Sequence, residues 1–180
     1  VVRAQYGPGE LNGQLFPGYA QENGVAREST TETFVAFKAM IDNWRWAGVP
    51  FYLRTGKRMP VRITEIGIHF RSTPQVLFNT EGKLPANFLA IRIQPNEGIA
   101  MQLQVKRPGL TQAIEPFLMD FGYADVFKGR LSDAYERLLL DVARGDATLF
   151  TRADEVEAAW AFVDPIIQGC QGLKTLPQYP

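Results

Sequence analysis

The stretch Ala86–Arg107, ANFLAIRIQPNEGIAMQLQVKR, decides the fold. Leu89, Ile91 and Ile93 fall on one side, and Phe88, Ala90, Arg92 and Gln94 on the other. Successive side chains of a strand leave opposite faces, so this alternation predicts a strand. Pro95, Asn96, Glu97 and Gly98 make a turn. Beyond it Met101, Leu103 and Val105 alternate with Ala100, Gln102, Gln104 and Lys106. Two alternating runs joined by a short turn predict an antiparallel hairpin with one apolar and one more polar face.

Upstream, PFYLRTGKR (50–58) is short, aromatic and bounded by Pro50 and Gly56, which predicts a strand ending in a turn. VRITEIGIHF (61–70) is β-branched and reads as the returning strand, with Pro60 at its mouth. TFVAFKAMIDN (33–43) fits two periods. Phe34, Phe37, Lys38 and Ile41 suit a helix, while Phe34, Ala36 and Met40 suit a strand. Its Phe, Val and Thr content leans to strand. Residues 7–31, rich in Gly, Pro, Asn, Ser and Thr, read as a long loop.

The period changes in the last third. DAYERLLLDVARGD (133–146) offers Asp133 as N-cap with Glu136 three residues on. Tyr135, Leu138, Leu139 and Val142 form its predicted buried stripe, and Gly145 stands where a helix-ending glycine belongs. TRADEVEAAWAFVDPIIQGC (151–170) repeats the capping spacing with Thr151 and Asp154. Val156, Ala159, Trp160, Val163 and Ile167 make its stripe, and Pro165 is expected to kink or stop it. Strands first and helices last predict an α+β fold with a mainly antiparallel sheet.

Composition narrows the function. The 180 residues are enough for one domain, and 46% hydrophobic content suits a soluble globular chain. Nineteen Lys+Arg balance nineteen Asp+Glu, which argues against a broad nucleic-acid or membrane surface. The single Cys170 excludes an internal disulfide and points to a reducing, cytoplasmic setting. No run reaches the roughly 18–20 apolar residues of a membrane span, and the first residues lack a signal peptide's apolar centre. One His and one Cys cannot supply common zinc spacing. Neither a strand-borne GxGxxG nor a Walker loop is present. His69, alone on an apolar strand, reads as structural.

One anomaly is left. Arg54, Lys57, Arg58 and Arg62 fall within nine residues, around Gly56, in an otherwise neutral chain. They could guard a sheet edge. They could equally hold an anion, with Gly56 allowing close backbone approach. Arg92 and Gln94 share a strand face, so a cation and an amide project together. Trp44 and Trp46 read as packing residues. Single-stranded nucleic-acid binding would use those tryptophans and cations, but neutral overall charge counts against it.

The assembled motifs are more specific. STTETFVAFKAMIDNWRWAGVPFYLRTGKRMPVRITEIGIHF (29–70), IRIQPNEG (91–98), LSDAYERLLLDVARGD (131–146) and ADEVEAAWAFVDPII (153–167) occur in order. With VVRAQYGPG at the start and Gly18–Tyr19, nearly the whole chain resembles the C-terminal domain of glucose-6-phosphate dehydrogenases. The resemblance implies a large, mainly antiparallel sheet with helices packed on it, over residues 1–180, and makes 33–43 a strand. It implies a role in oxidising glucose 6-phosphate to 6-phosphogluconolactone with NADP, in the pentose phosphate pathway. It also implies a homo-oligomer, dimer or tetramer, built partly on this sheet.

By the same resemblance Lys57, Arg62 and Gln94 match substrate-binding positions. Arg54 and Arg92 match positions that hold a second, structural NADP in some members, and Asp120 another. At that second site Ile63, Gly67, Ala100 and Gln102 stand where basic or aromatic partners are expected. The family's glycine-rich coenzyme turn and its catalytic histidine have no counterpart in these residues. His69 does not match that histidine. The chain therefore reads as a piece of a longer enzyme, without activity by itself. A competing reading is a non-catalytic assembly or regulatory module that keeps the fold.

Overall fold

A computed structural model describes residues 1–11, 13–72, 84–128, 134–170 and 176–180. The chain divides into two compact units, Val1–Pro60 with Ala147–Pro180, and Val61–Asp146.

The first unit is built on strands β1 (Val2–Tyr6), β4 (Phe34–Met40), β5 (Pro50–Gly56) and β10 (Gln178–Tyr179), in the order β10-β1-β4-β5. β1 runs antiparallel to β4 and parallel to β10. It is the most enclosed strand of the sheet, with Ala4, Gln5 and Tyr6 buried. Burying the Gln5 amide is tolerable because Nε2 donates to the carbonyls of Ser29 (3.0 Å) and Thr31 (2.9 Å). The 33–43 segment forms a strand over Phe34–Met40, as the family resemblance implies. Residues 7–31 contain more order than their composition suggests. β2 (Gly9–Leu11) and β3 (Gln14–Phe16) form a small hairpin, followed by a 3-10 turn at Tyr19–Gln21. Composition marks turn-forming residues but does not show that a short pair can form between them.

Helix α3 (Ala153–Gly169) completes this unit. Its N-cap is Arg152, one residue beyond the predicted Thr151, and the Arg152 amide donates to Glu155. Pro165 lies inside the helix and does not stop it. A proline removes one amide and crowds one carbonyl, and the rest of the ladder outlasts that local loss. Phe162 meets Phe37 of β4 with ring centroids 6.1 Å apart. Trp160 and Val156, in the predicted stripe, are exposed. Trp44 is not a packing residue either. It stands 88% exposed in the β4–β5 connection with Arg45 over its ring, whereas Trp46 meets Phe51 edge-on.

The second unit carries β6 (Thr64–His69), β7 (Phe88–Gln94), β8 (Gly98–Lys106) and β9 (Ile114–Gly122) as an antiparallel meander, β6-β7-β8-β9. The β7–β8 hairpin is the one predicted from Ala86–Arg107. The pairing of β5 with β6 does not form, because β5 returns on β4 and β6 pairs with β7. Sequence adjacency favours such a pairing, but β5 and β6 each stand at the end of their own sheet. The α+β fold with mainly antiparallel strands is as expected, its strands lying in two four-stranded sheets and the small β2–β3 pair among the described residues.

Register sorts this sheet into rows. Ile68, Leu89, Met101 and Met119 stand in one line across it, and Ile66, Ile91, Ile99 and Phe121 in the next. The opposite face carries Gly67, Ala90, Ala100 and Asp120 in line, and Ala90 is the buried residue there. His69 ends β6 and lies against Phe88, 4.6 Å between ring centroids. β9 leads into the short helix α1 (Tyr123–Val126), and α2 (Ala134–Arg144) closes the unit. The predicted N-cap Asp133 lies outside the described residues. The stripe predicted to be buried on α2 is not. Tyr135, Leu139 and Val142 are exposed, and Asp141 is the buried residue, receiving Arg137 Nε at 2.9 Å on both carboxylate oxygens. Periodicity shows which helix face is apolar, and the described residues do not cover that face.

The end of α2 behaves as predicted. Gly145 has φ 69, its amide donates to Val142, and the Asp146 amide donates to Asp141. Those two bonds satisfy two of the four carbonyls that the helix end leaves open. Gly145→Ala places a Cβ in the left-handed region, and no heavy atom lies within 4 Å of that Cβ, so strain alone acts. We expect a loss of about 1 kcal/mol, read as a fall of roughly 2–4 °C in thermal unfolding.

Candidate functional site

The basic turn begins where β5 ends. Gly56 is required by packing: an added Cβ would lie 2.8 Å from Phe34 Cδ2 and 3.0 Å from Met59 Sδ. The close approach foreseen at this glycine is therefore to a ring. The left-handed residue of the turn is Arg58, with φ 53.

Arg58 is occupied. Its guanidinium donates to Glu22 at 2.9 Å, lies 4.6 Å from the centroid of Phe16 and sits 5.7 Å from that of Tyr6. Glu22 also accepts from the Tyr6 hydroxyl at 2.7 Å. That hydroxyl, and then Arg58, hold the Glu22 carboxyl below its ordinary range. Burial and the bond to Glu22 push the Tyr6 phenol up. Arg58 thus fixes the turn to the 7–31 segment.

Lys57 is held differently. Its amide donates to the Thr33 carbonyl at 2.8 Å, and its own carbonyl accepts from the Tyr179 hydroxyl at 2.8 Å. Both backbone groups are tied, while the side chain is exposed and has no partner among the described residues. Glu32, Thr33, Phe34, Val35, Thr55, Gly56 and Lys57 line an open cleft of about 180 Å³ beside it. Arg54, on β5 opposite Ala36, is likewise exposed and without a side-chain partner among the described residues.

In the second unit Arg62 precedes β6 and is exposed. Gln94 ends β7 and pairs with Thr64, so Arg62 and Gln94 belong to the same end of the β6–β7 pair. Arg92 is committed to its own sheet. It donates to Asp120 at 2.7 Å and to the Phe121 carbonyl at 3.3 Å. It crosses Gly98, where an added Cβ would lie 2.6 Å from Arg92 Nη2 and 2.4 Å from the Phe121 carbonyl oxygen. Of the six predicted positions, Arg92 and Asp120 are thus in contact and Arg62 and Gln94 share a sheet end. Lys57 and Arg54 belong to the other unit. Among the described residues no cluster of three or more His, Cys, Asp or Glu is placed to hold a metal ion, and no helix is long and apolar enough to cross a membrane.

Residue pattern alone did not single out Thr33, Glu22 or Tyr179. Each reaches the turn across long sequence separation, and no local spacing signals that.

The fold is that of a dehydrogenase domain. A solved structure described as glucose-6-phosphate dehydrogenase in complex with its substrate glucose-6-phosphate matches it with a TM-score of 0.87. That match has 34% identity and covers 99% of this chain and 37% of the other. The family model for glucose-6-phosphate dehydrogenase, C-terminal domain, matches residues 1–180, and the chain belongs to that family. Glucose-6-phosphate 1-dehydrogenase of Aggregatibacter actinomycetemcomitans is 53% identical over 167 residues, covering 93% of this chain and 33% of the relative. That of Treponema pallidum is 49% identical over 184 residues, covering 100% and 36%. The chain spans about a third of the length of the curated relatives it matches.

The Glu22 bridge generates a pH prediction. Its folded carboxyl titrates below the unfolded one, so its contribution is fully present above the ordinary glutamate range. The contribution disappears as pH falls through the lowered folded value. Glu22→Gln should lower the melting temperature at neutral pH, and the gap should close in acid, as thermal melts across pH 3–7 will measure.

Proposed function

We propose that these residues form the substrate-binding and oligomerisation domain of an NADP-dependent glucose-6-phosphate dehydrogenase. The enzyme oxidises glucose 6-phosphate at C1 to 6-phosphogluconolactone, in the cytoplasm, as the entry to the pentose phosphate pathway. The observation that carries this reading is the family match across all 180 residues. The hydride acceptor and the catalytic base are assigned to sequence outside this chain, and no residue here is given a catalytic role.

Within the domain, Lys57, Arg62 and Gln94 bind the sugar phosphate. Lys57 and Arg62 have no internal partner among the described residues, in contrast to Arg58 and Arg92. A strongly acidic ligand gains charge-assisted hydrogen bonds from such cations without first breaking others. Gln94 offers a donor and an acceptor to the sugar. A second NADP is not part of this reading. Its phosphates would have to displace Asp120 from Arg92, and Gly67 and Ala100 supply no donor side chain. That leaves Arg54 as the one open cation of the three predicted positions.

Self-association rests on the second unit's sheet. Ile66, Ile99, Phe117 and Met119 share one of its faces and are 42–55% exposed. A contiguous apolar face of that kind favours a partner, and a second copy suits a family of homo-oligomers.

In the complete enzyme Lys57→Ala should raise the dissociation constant for glucose 6-phosphate roughly 10- to 150-fold and leave NADP affinity near wild type. Arg62→Ala should act in the same direction. Calorimetric titration of each ligand, with folding checked by thermal melts, measures this. Unchanged sugar-phosphate affinity in both variants would leave the two as ordinary surface cations.

A further inference from the structure

We infer that Tyr179 is a positioning residue for Lys57, so that the C-terminal strand of this chain sets its affinity for sugar phosphate. The inference rests on the proposed substrate role of Lys57. Tyr179 lies on β10, paired with Tyr6 of β1, and the Gly7 amide donates to the Tyr179 carbonyl at 2.7 Å. Its ring is wedged edge-on against Phe34 (5.7 Å) and Tyr6 (6.4 Å). That packing fixes where the hydroxyl goes. It stands 2.8 Å from the Lys57 carbonyl, 3.1 Å from the Thr33 carbonyl and 3.0 Å from Thr33 Oγ1.

The donors and acceptors balance. Thr33 Oγ1 accepts from the Tyr6 amide at 2.9 Å and has its own proton free for the Tyr179 oxygen. The single phenolic proton then goes to the Lys57 carbonyl, the shorter of its two carbonyl contacts. The Thr33 carbonyl is already served by the Lys57 amide. Lys57 is therefore pinned at both backbone groups by Thr33 and Tyr179. The next residue, Arg58, is held at φ 53 by Glu22, Phe16 and Tyr6. A lysine side chain has four rotatable bonds, and fixing its root limits the volume its ammonium must search to meet a phosphate. Removing the tie releases the root and leaves the ammonium itself unchanged.

The test uses the complete enzyme. Tyr179→Phe removes one oxygen and keeps the ring against Phe34 and Tyr6. Losing one hydrogen bond corresponds to roughly 2- to 12-fold, which is the expected rise in KM for glucose 6-phosphate, with kcat and the KM for NADP unchanged. In a Lys57→Ala background the same substitution should change nothing further. Tyr52→Phe, on the same sheet and 75% exposed, is the control and should behave as wild type. Hydrogen exchange of the Lys57 amide should accelerate in Tyr179→Phe while the β4–β5 ladder keeps its rates, which reads the tie even if the variant is less stable. Tyr179→Phe with unchanged KM and unchanged Lys57 exchange overturns the inference, as does an equal rise in KM with and without Lys57. If Lys57→Ala itself leaves the KM at wild type, the substrate role of Lys57 fails first, and this inference falls with it.

Discussion

The pairing of the C-terminal strand with β1 is the constraint on which the candidate site depends. Among the described residues Gln178 and Tyr179 make that pairing, opposite Gln5 and Tyr6. A two-residue parallel strand is weak by itself. It becomes useful because Tyr179 also packs on Phe34 and caps the Lys57 carbonyl, joining β1, β4 and the turn after β5 through one side chain. Buried Gln5 serves the same end, since its amide ties the chain before β4 to the middle of β1. The turn is thus held by hydrogen bonds from three directions, while its lysine side chain remains open.

The charges in this chain divide into those used internally and those left available. Arg3 pairs with Glu32, Arg58 with Glu22, Arg92 with Asp120 and Arg137 with Asp141. Where such pairs are exposed to solvent they add little to stability. Their main effect here is to remove those cations from competition for a ligand. Lys57 and Arg62 are excluded from such pairing among the described residues. The reading of the site comes from the family resemblance, and the distribution of partners agrees with it, although Arg54 is open as well.

The sequence carried the strands well where both period and turn agreed, as in the β7–β8 hairpin. It also carried the end of α2, because a left-handed residue after an amphipathic run has few alternatives to glycine. It could not carry strand partners beyond that hairpin. β6 looked like the return of β5 because adjacency was the only cue, while 33–43 fitted two periods until the resemblance decided it. Helix burial was misjudged on α2 because an apolar stripe reveals a preference and not a covering surface. At the site, Lys57, Arg62 and Gln94 were named by resemblance, but what holds Lys57 was invisible. Tyr179 lies 122 residues away from it, and the bond joins a side chain to a backbone carbonyl. Arg92 was misleading for a related reason, since Asp120 reaches it only after β7, β8 and β9 come into register.

The central claim is that Lys57 is presented to a sugar phosphate from a backbone fixed by Thr33 and Tyr179. A crystal structure of the complete enzyme with glucose 6-phosphate tests it most directly. The account predicts the Lys57 ammonium about 2.7–3.2 Å from an oxygen of the bound ligand, with the Tyr179 hydroxyl still on the Lys57 carbonyl. A bound ligand held wholly by other residues, with the Lys57 ammonium in solvent, would contradict it.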